Sequence, residues 1–61
     1  MKIIVKNQKG ATLCVLDKPY IPNIGDTIRV NDVIYYHKVI DRIFEFEQDN
    51  EGIDFVYLIV T

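Results

Sequence analysis

The chain has no tryptophan, one cysteine, one histidine, two prolines and three glycines in 61 residues. Each scarcity excludes something. The lone Cys14 cannot close an internal disulfide or supply a multi-cysteine metal site. A small secreted domain leans on such staples, so the expected setting is the reducing cytoplasm. The lone His37 has Tyr35 and Val39 as neighbours on its own strand face, and neither gives a catalytic histidine a partner. Long apolar runs are also missing. The longest, Phe55 to Val60, is too short to span a bilayer, and the opening MKIIVKNQKG is too short for a signal-peptide core. Basic excess is absent too: the net charge is −2, which disfavours a protein that binds nucleic acid by neutralising phosphate.

What is present is apolar and alternating. Hydrophobic residues make up 49% of the chain, enough for one small core, so residues 1–61 are expected to form a single domain. The apolar period is two over most of the length, which is the strand period. MKIIVK reads as a first strand and ATLCVL as a second, joined by a hairpin through NQKG. In the second, Ala11, Leu13 and Val15 share one face, and Thr12, Cys14 and Leu16 the other. Pro19 and Pro22 then hold an extended, ladder-free path. Gly25-Asp26 turns the chain into TIRV, and Asn31-Asp32 is a second turn.

From Val33 to Glu47 there is neither proline nor glycine. Its β-branched and aromatic residues favour strand over helix. The odd face is apolar early and acidic late, whereas the even face ends in Phe44 and Phe46. The buried side therefore switches near residues 40–43, as a bulge would make it. QDNEG turns the chain and IDFVYLIV returns as the last strand. The expected fold is all-β: a five-stranded antiparallel meander, strongly bent into a small SH3-like barrel.

Pro22, Gly25, Asp26, Ile28 and Val30 form P-x-x-G-D-x-I-x-V, followed by a tyrosine-containing strand ending VIDRIFEF. Over residues 20–60 this resembles uncharacterised proteins of about this length from phages and other mobile elements. The resemblance implies a phage or prophage context, with an accessory factor or an inhibitor acting on a host protein. It carries over no catalytic residues.

Two stretches invite chemistry. Glu47, Asp49 and Glu51 before Gly52 echo half a calcium loop, but Leu58 stands where the bidentate glutamate belongs, so no metal is expected. Residues 1–30 carry five Lys/Arg against two Asp, and residues 31–61 two Lys/Arg against seven Asp/Glu. Cross-strand pairing and solubility explain this asymmetry. The sharper reading is an acidic 45–54 hairpin, with Glu45, Glu47 and Glu51, that docks on a basic partner. Tyr36, Lys38 and Arg42 are expected along one strand side, either as an ordinary solvent face, as a protein contact or as a single-strand platform.

No catalytic residue and no cofactor is expected. The favoured function is a non-catalytic protein-binding module. The alternatives are a single-stranded nucleic-acid-binding barrel and a self-assembling protein, the last because FVYLIV is apolar on both faces.

Overall fold

A computed structural model describes residues 1–30, 35–46 and 54–61. The asparagine–aspartate and QDNEG turns lie outside the described residues. The chain is all-β, with five strands in one strongly curled half-barrel sheet. They are β1 (Lys2–Asn7), β2 (Thr12–Asp17), β3 (Thr27–Ile28), β4 (His37–Glu45) and β5 (Phe55–Val60).

Sheet order is β2-β1-β5-β4-β3, and the pairing is mixed. β1 runs antiparallel to β2, β4 antiparallel to β5, and β3 antiparallel to β4, but β1 and β5 are parallel. This departs from the expected antiparallel meander. Alternation reports that a segment is a strand, yet it says nothing about partner or direction. The reason for the central place of β5 is its composition. Val56, Leu58 and Val60 are fully buried, and Phe55, Tyr57 and Ile59 on the other face are half-buried. In the middle of the sheet its backbone is paired on both edges, and the side chains of β1 and β4 beside it half-bury its convex residues.

The core lies on the concave face. Ile3 and Val5 of β1, Val39 of β4, and Val56, Leu58 and Val60 of β5 are its buried residues. Cys14, Leu16, Ile21 and Ile28 pack against it. Cross-strand partners share a face, and the register confirms the assignment: Ile3 faces Leu16 and Val56, and Val5 faces Cys14 and Leu58. The second strand thus turns its Cys14–Leu16 face inward, leaving Leu13 and Val15 exposed.

The bulge expected near 40–43 is present. Val39 pairs with Val60 and Asp41 with Ile59, so Ile40 is the extra residue. Before it, an odd position (Val39) faces the core; after it, the even Arg42 and Phe44 stand opposite Leu58 and Val56.

Two turns fix the ends of the sheet. Asn7 Oδ1 accepts from the backbone N–H of Lys9 and Ala11, at 2.9 and 3.0 Å, and closes the first hairpin. At the second turn the Asn23 N–H donates to Asp26 Oδ2 at 2.8 Å. The Gly25 N–H donates to Val39 O, and the Val39 N–H donates to Asp26 O. That turn is therefore pinned beside the bulge. Gly25 has φ of 96°, a left-handed conformation that a Cβ makes unfavourable even though space is open around it. Gly25→Ala should cost about 1–2 kcal/mol, read as a lower urea midpoint; an unchanged midpoint would contradict the pinned turn.

The expected TIRV strand is only two residues long, because Arg29 and Val30 leave the ladder. β2 and β3 are the two sheet edges, so the proline-containing connection between them crosses the open side of the half-barrel and sets Ile21 on the core. Among the described residues no helix is long and apolar enough to cross a membrane.

Candidate interaction surface

The bulge decides the geometry of the expected Tyr36–Lys38–Arg42 side. Lys38 precedes core-facing Val39 and pairs with Thr27, so it projects from the convex face. Arg42, beyond the bulge, stands opposite Leu58 on the concave face. Tyr36 lies outside the strand. The three do not share a side. The alternation that would align them is broken by the same extra residue that switches the buried face. Glu45 pairs with Phe55 on the convex face and is exposed. Glu47 and Glu51 lie outside the described residues, so of the acidic hairpin only Glu45, Phe46 and Asp54 are seen.

A different group is brought together. Phe44 and Phe46 stack with centroids 6.0 Å apart and rings 5° from parallel. The Arg42 guanidinium lies 5.2 Å from the Phe44 centroid. Alternate residues on one strand side thus form an arginine–phenylalanine–phenylalanine ladder. The two phenylalanines at the end of the even face were expected in the core, but they are 40% and 69% exposed. The core ends at Val56, opposite Phe44, and no described strand lies beyond to cover them. A second stack joins Arg29 to Tyr36, with the guanidinium 5.6 Å from a ring that is 67% exposed. The spacing R-x-F-x-F is the signal that identifies the first stack; Arg29 offered none, since its partner is seven residues away.

Arg42 is anomalous in energetic terms. It is half-buried. Its Nη1 donates to Asn23 Oδ1 at 3.2 Å, while its Nε is buried without a hydrogen-bond partner among the described residues. Among the described residues no carboxylate forms an ion pair with it. An unsatisfied buried donor costs about 1–3 kcal/mol. Among the described strand positions it is also the one formal charge on the concave face, since Asp17, Asp41 and Glu45 all pair on the convex side.

His37, Leu58 and Cys14, each weighed for chemistry in the sequence, have defined places in the fold. His37 Nδ1 lies 2.7 Å from the Thr61 carbonyl oxygen and donates to it. Leu58, at the position a calcium loop reserves for glutamate, is a fully buried core residue. Cys14 packs against the core, and burial pushes its thiol pKa up, which depletes the reactive thiolate. Because the folded value is the raised one, this group's contribution to stability is full below the unfolded thiol's range and is lost as pH rises through the folded value. Alkylation by iodoacetamide at pH 8 should run several-fold slower in the native chain than in urea, and equal rates would contradict the burial.

Compared with protein-family models, curated proteins and solved structures, the chain matches none.

Proposed function

We propose that this chain is a non-catalytic protein-binding module: a phage or mobile-element accessory protein, or an inhibitor, that acts on a host protein in the cytoplasm. Its contact surface is the Arg42–Phe44–Phe46 ladder, with the Arg29–Tyr36 stack as a second anchor. The observation that carries this reading is Arg42, whose guanidinium stacks on exposed Phe44 and whose buried Nε–H has no partner among the described residues, at a position where an apolar side chain would pack at no such cost. Departures from local stability rules concentrate at functional sites. Exposed aromatics flanked by arginine are also the composition of binding hot spots, in which a few such residues dominate affinity. The test is affinity capture from bacterial lysate with the unaltered chain and with a Phe44→Ser/Phe46→Ser variant, followed by mass spectrometry. A stoichiometric protein lost only with the variant supports the reading.

One observation favours single-stranded nucleic acid as a second reading. Among the described strand positions the concave face carries a cation beside stacked rings and no acidic residue, and such platforms hold successive bases. Binding of a labelled oligonucleotide that weakens steeply with salt would support it; no binding at low salt would remove it. Self-assembly is a third reading, favoured by the apolar convex face on which Leu13, Val15 and Ile43 are exposed on either side of β5.

A further inference from the structure

Between the two sheet edges lies a cleft of about 250 Å³ that the ladder does not touch. Its floor is aliphatic, with Leu16 and Ile28 half-buried and Leu58 fully buried. Its rim is exposed and of one sign: Lys18 and Arg29 both line it, with Tyr20 beside them, and no aspartate or glutamate is among its described lining residues. Neither cation forms an ion pair among the described residues. Arg29 is held by its stack on Tyr36, so its guanidinium is placed before any ligand arrives. The charge at the mouth therefore complements an anion, and the floor complements a hydrocarbon.

We propose that this cleft binds a small monocarboxylate with a compact apolar body, its carboxylate between Lys18 and Arg29 and its hydrocarbon on Leu16, Ile28 and Leu58. Size narrows the class. At roughly 30 Å³ for each water-sized group, the volume takes about eight heavy atoms of apolar body, and it falls just below the ~300–1,000 Å³ of drug-sized ligand sites. A medium-chain acid fits this volume, and a long-chain lipid does not. The carboxylate gains charge-assisted hydrogen bonds, and arginine can offer a bidentate pair. The alkyl part gains from removal of apolar surface from water.

The experiment is a titration of the isotopically labelled full chain with octanoate and, in parallel, with octanol, followed by backbone amide shifts. Octanoate should give saturable shifts confined to the cleft-lining positions on and beside β1, β2, β3 and β5, Leu16, Ile28 and Leu58 of the floor and Lys18 and Arg29 of the rim foremost, with octanol binding at least tenfold more weakly. Lys18→Glu/Arg29→Glu should lower octanoate affinity at least tenfold. Equal binding of octanol and octanoate would overturn the proposal, as would shifts that fail to saturate or that spread over the convex face. The comparison of the two ligands uses the unaltered chain, so it decides the matter even if the double variant misfolds.

Discussion

Leu58→Ala removes about half or more of the chain's stability and lowers its urea midpoint accordingly. The expectation follows from the size of the core. Among the described residues six are fully buried, four of them valines, and Leu58 and Ile3 are the largest. Leu58 sits on the central strand and faces Val5 on one side and Arg42 on the other, so no neighbouring element can collapse into the space without breaking register. Leucine-to-alanine changes at such sites cost about 2–5 kcal/mol. A domain of this length has only about 3–9 kcal/mol in total, at roughly 0.05–0.15 kcal/mol per residue. Urea denaturation followed by circular dichroism should show the strand signal lost at a much lower urea concentration than in the unaltered chain. Ile43→Ala, on the exposed convex face opposite Tyr57, is the control and should cost no more than about 1 kcal/mol. A folded Leu58→Ala chain with a near-normal urea midpoint would mean that the core lies elsewhere.

Phe44→Ser/Phe46→Ser has the opposite profile, with a large loss of binding and little loss of stability. Phe46 lies beyond Glu45, the last residue of β4, and Phe44 is more than one-third exposed, so little buried area is lost. Central aromatic anchors in an interface cost about 2–4 kcal/mol each when truncated. Capture of the protein partner should therefore fall at least thirtyfold, while the urea midpoint moves little. A variant that unfolds would show the pair to be part of the core. A folded variant with undiminished capture would remove the ladder from the contact surface.

Much of this fold was legible in the sequence, and the reasons are local. The period of two marked β1 and β2, since each has one face on the core and the pattern survives solvent exposure of the other, whereas β5 was marked by an unbroken apolar run rich in β-branched and aromatic residues. The face switch near residue 40 was visible because Val39 and the even residues beyond it cannot both be inward on a regular strand. Gly25 and Asp26 announced their turn. The parallel pairing of β1 with β5 was not legible: its partners are more than fifty residues apart, and no turn joins them to betray direction. The Tyr36–Lys38–Arg42 side failed for a related reason. It extended one alternation through a residue that breaks it. The exposure of Phe44 and Phe46 was hidden because two aromatics at core parity look the same whether or not the sheet continues far enough to cover them.

The central claim is that Arg42 is retained for recognition and not for stability, and the urea midpoint of Arg42→Met tests it most directly. Methionine keeps the apolar stem against the core, removes the unpartnered Nε–H, and gives up the bond to Asn23, whose exposed side chain water can satisfy. These contributions nearly cancel, so the account predicts stability within about 1 kcal/mol of the unaltered chain. A loss of about 2 kcal/mol or more would make Arg42 a structural residue, contradicting the account.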